Sequence, residues 1–127
     1  MEGFKEFKSA NESAKNSKLF LHTHFSEGWD IQKLARENDV PLSDILTTYV
    51  CQYCKSYHIA SFSGENLACP NCGKKDGLVT TNVSVGVSED QLNEVYNVMD
   101  VYCHPFTSGG QEFPIQEAKL AELITLV

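Results

Sequence analysis

Four cysteines in two closely spaced pairs are the residues of this chain whose type and spacing most clearly predict chemistry. Cys51 and Cys54 form one Cys-x-x-Cys pair, and Cys69 and Cys72 form a second, with fourteen residues between the pairs. Thiolates at this spacing are typical ligands of a tetrahedral zinc ion. Four sulfur ligands fill the coordination shell and leave no position for a catalytic water, which predicts a structural zinc site.

Other interpretations of the cysteines are weaker. Two redox-active pairs are the main alternative, but neither pair opens a convincing helix, where a reactive thiolate would be stabilised. His58 could replace one cysteine as a ligand, although four thiols already suffice. A catalytic zinc of the deaminase kind needs an open coordination position and a His/Cys-x-Glu element, and the sequence offers neither. The fifth cysteine, Cys103, lies in a strand-like run and is expected to be a small buried hydrophobic residue.

The composition is that of an acidic globular domain. The 127 residues are 42% hydrophobic, and ten Lys and Arg against seventeen Asp and Glu give a net charge of −7. This balance argues against a nucleic-acid-binding protein, since a phosphate backbone attracts basic surfaces. The sequence shows neither an apolar signal-peptide core nor an apolar stretch of membrane-spanning length. We therefore expect a cytoplasmic protein with reduced thiols.

Strand and helix patterns alternate on both sides of the cysteines. Segments 19–24 and 45–50 are strand-like and flank a helical stripe at 31–35, which predicts a βαβ unit. Ser88 and Gln91 have the spacing of a capping box and predict a helix. Alternating strands and helices imply an α/β fold with a parallel sheet, right-handed crossovers and flanking helices.

These patterns divide the chain into three parts. Residues 1–50 form the first part of an α/β domain, residues 51–77 a zinc-ribbon insertion rich in Cys, Gly, Asn, Lys and Ser, and residues 78–127 the second part of the domain. The strand-like run 124–127 is followed by no helix that would cover it. We therefore expect a fragment of a longer α/β domain.

Two other groups of residues are candidates for ligand binding. The loop 108–112 leads from a strand into a helix near Pro114, so free backbone N–H groups and the positive end of the helix dipole suit an anion or sugar hydroxyls. Ordinary tight turns also use two glycines, and this simpler interpretation stays open. His22 and His24 lie on one face of a strand and could bind a metal or phosphate, although a hydrogen-bonded structural role is the commoner one.

The C-terminal part resembles a known enzyme family. The run VSEDQLNEVYNVMDVYCHPF at 87–106 continues through SGG at 108–110 to PIQEA at 114–118. It resembles the C-terminal, donor-binding domain of the retaining family 4 (group 1) glycosyltransferases, which have two Rossmann-like domains. The resemblance covers residues 79–127 well and residues 3–50 in order and pattern, whereas the cysteine-containing part has no counterpart in the common pattern.

This resemblance implies a Rossmann-like domain that binds a UDP- or GDP-linked sugar for transfer to an unknown acceptor. Glu117 would hold the nucleotide ribose. The residues that would contact the donor sugar and phosphates are Ser108, Gly109, Gly110, Gln111 and Glu112. The family usually has a glutamate at the position of Gly109. Glu112 could compensate for it, the donor could differ, or transfer activity could be lost.

The same resemblance implies that this chain alone binds a donor weakly and does not turn it over. The family's acceptor-binding domain and the Arg and Lys that clamp the pyrophosphate are not in the sequence. Such enzymes need no metal for chemistry, because helix dipoles and basic side chains stabilise the leaving diphosphate. Zinc would therefore be structural.

A second class of function stays open. The chain could be a zinc-ribbon module that binds a protein or a nucleic acid, on a degenerate and inactive glycosyltransferase scaffold. Lys55, Lys74 and Lys75 would give the ribbon a small basic patch, whereas the net charge of −7 opposes nucleic-acid binding.

Overall fold

The computed structural model describes residues 1–25, 27–104, 109 and 112–126. These residues form a mixed α/β structure with two compact units, Met1–Val87 and Ser88–Val127. The α/β class predicted from the sequence is confirmed. No helix in the described part of the chain is long and apolar enough to cross a membrane.

The first unit contains the predicted βαβ crossover. Its helices and strands are α1 (Glu2–Ala10), β1 (Leu19–Leu21), α2 (Ile31–Glu37), β2 (Ile45–Cys51), β3 (Tyr57–Ser61) and β4 (Leu78–Thr80), with short 3-10 helices at Glu12–Ala14 and Leu42–Asp44. The carboxylate of Asp30 caps α2 by accepting a hydrogen bond from the Lys33 backbone N–H at 2.9 Å. Strands β1 and β2 pair in parallel on either side of α2 in the sequence, as the βαβ pattern predicts.

Strand β2 lies at the centre of a mixed sheet. Strand β3 pairs with β2 antiparallel, because a connection of only residues 52–56 permits a hairpin and not a crossover. Strands β1 and β4 share the opposite edge of β2, where β1 pairs in parallel with residues 45–47 and β4 antiparallel with residues 49–51. The sheet is therefore mixed, where the sequence pattern predicted parallel strands.

The core of the first unit lies on one face of β2. Side chains alternate across a strand, so Ile45, Tyr49 and Cys51 point to the same face, and all three are buried. The ring of Phe62 stacks on the rings of Phe25 and Tyr49, with centroid distances of 4.1 Å and 6.4 Å. This cluster also contains Cys69, so the hydrophobic core continues into the cysteine site.

One carboxylate connects the N-terminal segment to the sheet. Asp44 accepts a hydrogen bond from Lys8 Nζ of α1 at 2.7 Å and another from Lys18 Nζ, just before β1, at 2.8 Å. These two ammonium groups, that of Lys18 first, lower the pKa of Asp44 below its usual value. The Asp44 side chain is only 16% exposed, so its two ion pairs are partly protected from solvent.

The second unit contains another parallel crossover. Its elements are α3 (Glu89–Asn97), β5 (Val101–Cys103), α4 (Phe113–Leu120) and β6 (Ile124–Leu126). The predicted capping box at the start of α3 is confirmed, since Ser88 and Gln91 exchange side-chain-to-backbone hydrogen bonds. Strands β5 and β6 pair in parallel, with α4 between them in the sequence.

Cys103 differs from its expectation. It is exposed rather than buried. Leu126 of β6 pairs with Cys103 and is 55% exposed. Val101, two residues before Cys103 on the same face of this two-stranded sheet, is 46% exposed. An apolar strand pattern predicts burial only where a second layer covers the sheet, so the prediction for Cys103 was wrong.

Replacing Asp44 by asparagine should destabilise the first unit by roughly 1–2 kcal/mol at neutral pH, because two charge-assisted hydrogen bonds lose their anion. The folded pKa of Asp44 is lowered, so its contribution is present above the unfolded pKa and is lost as pH falls through the folded pKa. Urea unfolding of both proteins should therefore show a difference at pH 7 that shrinks in acid.

Asp39→Asn is the matched control, since Asp39 pairs with Lys5 at a position where its side chain is 79% exposed. It should change the urea midpoint less than Asp44→Asn. Equal effects of the two substitutions would contradict the anchoring role of Asp44.

Candidate metal centre

The first pair of cysteines lies at the tip of the β2–β3 hairpin. Cys51 is the last residue of β2, and its backbone N–H donates to the carbonyl of Ser56 at 2.8 Å. The backbone N–H of Lys55 donates to the carbonyl of Cys51 at 3.1 Å. Lys55 has a φ of +61°, the left-handed conformation that closes this tight turn.

The second pair repeats the same backbone pattern residue for residue. The N–H of Cys69 donates to the carbonyl of Lys74 at 2.9 Å, and the N–H of Gly73 donates to that of Cys69 at 2.9 Å. Gly73 has a φ of +74°, the left-handed conformation that glycine adopts without strain. The chain therefore forms two equivalent turns, each of which directs two sulfur atoms to one point.

The four sulfur atoms form a compact group. The Cys51 and Cys72 sulfurs are 3.6 Å apart, and those of Cys54 and Cys69 are 3.8 Å apart. All four Sγ atoms lie within 4.8 Å of one another. A tetrahedron with metal–sulfur bonds of about 2.3 Å has edges of about 3.8 Å, whereas a disulfide bond is only about 2.0 Å long. The cysteines are thus close enough to hold a metal ion.

Backbone hydrogen bonds connect the sheet to the two cysteine turns, which we call the first knuckle (residues 51–56) and the second knuckle (residues 69–74). The backbone N–H of Gln52, in the first knuckle, donates to the carbonyl of Gly77 at 2.9 Å, just before β4. Leu67 and Leu78 exchange backbone hydrogen bonds of 3.0 and 2.9 Å across the second knuckle. The sulfur positions therefore depend on the pairing of both chain segments with the sheet.

The loop between β3 and the second knuckle is anchored by two side chains. The hydroxyl of Tyr49 donates to the carbonyl of Gly64 at 2.8 Å and accepts from the backbone N–H of Ser63 at 3.1 Å. The carboxylate of Glu65 accepts from the backbone N–H of Thr80 at 2.8 Å and also from its hydroxyl. These bonds fix the loop that brings the second pair of cysteines to the first.

Polar groups surround the sulfur atoms. The side-chain amide of Asn71 donates to Cys54 Sγ at 3.4 Å. The hydroxyl of Ser56 lies 3.1 Å from Cys54 Sγ and 3.6 Å from Cys69 Sγ, and His58 Nε2 is 3.2 Å from that hydroxyl. Ser56 can therefore orient two ligands at once, as second-shell groups of metal sites do.

These contacts make the four thiols unequal. The hydrogen bonds from Asn71 and then Ser56 lower the pKa of Cys54 to about 5. At Cys72, a backbone hydrogen bond from Lys74 lowers the pKa. Burial and the three neighbouring cysteines outweigh it and raise the pKa of Cys72 to about 11. Four thiolates at these distances repel one another, so the full set of ligands requires a cation among them.

The histidines considered as ligands do not join this group. Among the described residues, only the four cysteines come together as three or more possible His, Cys, Asp or Glu ligands. His58 contacts the site through Ser56. His22 Nδ1 is 2.9 Å from the Thr48 hydroxyl, and burial lowers the pKa of His22, as is usual for a hydrogen-bonded structural histidine.

The candidate donor-site residues lie in the second unit. Ser108, Gly110 and Gln111 fall outside the described residues, and Gly109 is exposed. Glu112 is the N-cap of α4, and its Oε2 lies 3.7 Å from His104 Nε2. Glu117 is exposed on α4, and its Oε2 accepts a hydrogen bond of 2.9 Å from the hydroxyl of Tyr96.

Comparisons of the chain with protein-family models, curated proteins and solved structures found no match. Functional inference therefore depends on the geometry of the residues.

Sequence reasoning missed Ser56, Asn71 and Gly77 as parts of the site. A Cβ atom added to Gly77 would lie 2.9 Å from Cys69 Cβ and 3.1 Å from Cys51 Sγ. Position 77 therefore requires glycine because no room is left for a side chain, and not because the backbone has a positive φ. Its place at the end of the cysteine-rich segment was visible in the sequence, but only the fold shows what it touches.

Gly77→Ala should lower the affinity for zinc by about tenfold or more, because the added methyl group pushes two ligands out of position. Competition with a chromophoric chelator measures this affinity. Gly86→Ala is the control, since an added Cβ there meets nothing within 4 Å and Gly86 has no positive φ. Equal affinities of the two variants would show that Gly77 does not shape the site.

Proposed function

We propose that the four cysteines hold one structural zinc ion. The observation that carries this proposal is the pair of sulfur–sulfur distances, 3.6 and 3.8 Å, which match the edges of a tetrathiolate zinc site. Soft thiolate ligands in a tetrahedron favour zinc over magnesium or calcium. The ion would join the β2–β3 hairpin to the segment before β4, so its binding free energy would add to the stability of the first unit.

The purified chain should contain one zinc ion, measured by native mass spectrometry and by metal analysis. Cys51→Ser or Cys69→Ser should abolish stoichiometric binding and lower the melting temperature, as should a strong chelator, because an incomplete ligand set releases the ion. Cys103→Ser is the matched control and should keep the metal. Full zinc content in the Cys51→Ser and Cys69→Ser variants would contradict the proposal.

We further propose that the chain is the nucleotide-sugar-binding part, with a Rossmann-like donor domain, of a retaining glycosyltransferase. The main structural support is the position of Glu117. It lies on α4, the helix that comes between the parallel strands β5 and β6 in the sequence and follows the carboxyl end of β5. Ligands of α/β folds commonly bind at this end of the strands.

The contacts of Glu117 suit a hydroxyl-bearing ligand. Tyr96 donates to one carboxylate oxygen and thereby fixes the orientation of the side chain. Burial, and then the hydrogen bond to Glu117, raise the pKa of Tyr96, so its hydroxyl keeps its proton and Glu117 serves as an acceptor. A carboxylate has two oxygens, and the second could accept from a ribose hydroxyl.

The acceptor and the choice between UDP and GDP donors are not specified by this geometry. Zinc would act on stability alone, since four protein ligands leave it no open position. A reducing compartment such as the cytoplasm would keep the thiols available for the ion.

A second candidate function is a zinc-ribbon interaction module. The tip of the ribbon supports it, because Tyr53 is 54% exposed and Lys74 Nζ lies 5.5 Å from the centre of its ring. Lys55 and Lys75 are exposed nearby in the sequence. An exposed ring with one cation over it is suited to an acidic peptide or to single-stranded nucleic acid, although the Tyr53 hydroxyl already donates to the Asp76 carboxylate at 3.2 Å.

Saturation-transfer NMR with UDP-, GDP- and ADP-glucose tests the leading proposal. One of these ligands should receive saturation at its ribose protons, and Glu117→Ala should weaken its binding by about tenfold, the usual size for a hydrogen bond to a charged group. Glu122→Gln removes an equal charge from an exposed position of the same unit and should leave binding unchanged. If none of the three ligands binds, donor binding is wrong and the ribbon module becomes the leading candidate.

A further inference from the structure

Ser56 and His58 lie on the same face of the β2–β3 hairpin as Cys51. The backbone N–H of Cys51 donates to the carbonyl of Ser56 at 2.8 Å, so these two residues lie opposite each other at the end of the hairpin. Tyr49 and His58 are partners in the pairing of β2 with β3. Side chains alternate along each strand, so these four side chains point to one side. The hairpin therefore places a serine and a histidine beside the metal centre.

The hydroxyl of Ser56 has three polar neighbours. Its Oγ is 3.1 Å from Cys54 Sγ, 3.6 Å from Cys69 Sγ and 3.2 Å from His58 Nε2. The side chains of both Ser56 and His58 are partly buried. A serine hydroxyl has a single hydrogen to donate and two lone pairs that accept. The hydrogen therefore faces either the sulfur atoms or the histidine.

The charges of the ligands direct this hydrogen to the sulfur atoms. Cysteines that bind zinc are thiolates, which accept hydrogen bonds and cannot donate them. If the hydrogen faced His58, the oxygen lone pairs would face two negative sulfurs within 3.6 Å and be repelled. Cys54 Sγ is the nearer sulfur and accepts the shorter bond. The lone pairs of Ser56 then face His58, so its Nε2 carries a hydrogen and donates.

We propose that His58 Nε2–H, the Ser56 hydroxyl and Cys54 Sγ form a chain of hydrogen bonds that strengthens metal binding by the four cysteines. This inference rests on the proposed zinc centre. A hydrogen donated to sulfur stabilises the excess negative charge of the site, because four thiolates outweigh the charge of Zn²⁺. Ser56 and His58 are positioning residues, since both act through Cys54 and neither is a ligand.

Zinc affinity, measured by competition with a chromophoric chelator, tests the role of Ser56. Ser56→Ala should lower the affinity by about tenfold, the lower end of the range for groups that support metal ligands, because Asn71 still donates to Cys54. Ser56→Thr keeps the hydroxyl and should retain most of the affinity. Ser61→Ala is the matched control, since the Ser61 hydroxyl donates to the carbonyl of Ser43 instead of to a sulfur. An unchanged affinity in Ser56→Ala would overturn the proposal.

A double-mutant cycle tests whether His58 acts through Ser56. His58→Ala should lower the zinc affinity by a smaller factor than Ser56→Ala, and His58→Gln should restore part of the loss, because the Gln amide also donates a hydrogen bond. In a chain that already carries Ser56→Ala, His58→Ala should have no further effect. An equal loss in both backgrounds would show that His58 acts independently, which contradicts the chain.

Cobalt gives a second readout, which a purely structural role of Ser56 does not change. Co²⁺ also binds to tetrahedral thiolate sites, and its sulfur-to-metal charge-transfer absorption reports the electron density on the sulfurs. Loss of the donated hydrogen in Ser56→Ala should shift this band to longer wavelength, whereas Ser56→Thr and Ser61→Ala should absorb like the wild type. Amide NMR spectra show whether each variant is folded. A folded Ser56→Ala with an unshifted band would overturn the proposal.

The outcomes distinguish this inference from the proposed zinc centre. If the wild type holds no zinc, the zinc centre fails and this inference fails with it. If the wild type holds one zinc ion and folded Ser56→Ala has the affinity and the cobalt spectrum of the wild type, only the hydrogen-bond chain is overturned.

Discussion

The pairing of β2 with three other strands is the constraint on which the first unit depends. One edge of β2 pairs with β3, and the other pairs first with β1 and then with β4. The last residue of the strand, Cys51, is also a candidate metal ligand. The register of the sheet therefore sets the position of one sulfur directly, and the pairing of β4 places the second knuckle next to the first. A shift of one residue in β2 would turn Tyr49 and Cys51 away from the core and from the metal centre together. The geometry of the metal centre therefore depends on the same strand pairing that stabilises the sheet.

Local signals in the sequence predicted much of this structure. Two Cys-x-x-Cys pairs predicted the sulfur cluster, because a metal knuckle is a turn of a few residues and its chemistry is contained in them. The capping box at Ser88 was equally local. The parallel pairing of β1 with β2 followed from a helical stripe between two strand-like runs. The zinc and the donor assignment stay proposals, since one depends on the identity of an ion and the other on a resemblance.

Features that depend on distant contacts could not be predicted in the same way. The antiparallel β4 lies on the same edge of β2 as β1, and nothing within Leu78–Thr80 specifies that neighbour. The role of Gly77 follows from its distance to two sulfur atoms, and a glycine in a polar segment indicates a turn as readily as a close contact. Cys103 was assigned to the interior because its strand is apolar, but exposure depends on which layers cover the sheet.

The unequal burial of the ligands has a kinetic consequence. Cys51 and Cys69 are 0% and 1% exposed, whereas Cys54 is partly accessible and Cys72 lies at the surface. A metal ion in this site would exchange by stepwise substitution, in which an incoming ligand replaces one thiolate at a time. Such an exchange can begin only at the accessible sulfurs, and the two buried ligands, held by β2 and the hydrophobic core, would release the ion last. The rate of metal exchange would therefore be limited by local opening of the sheet around β2, however strong or weak the equilibrium binding is.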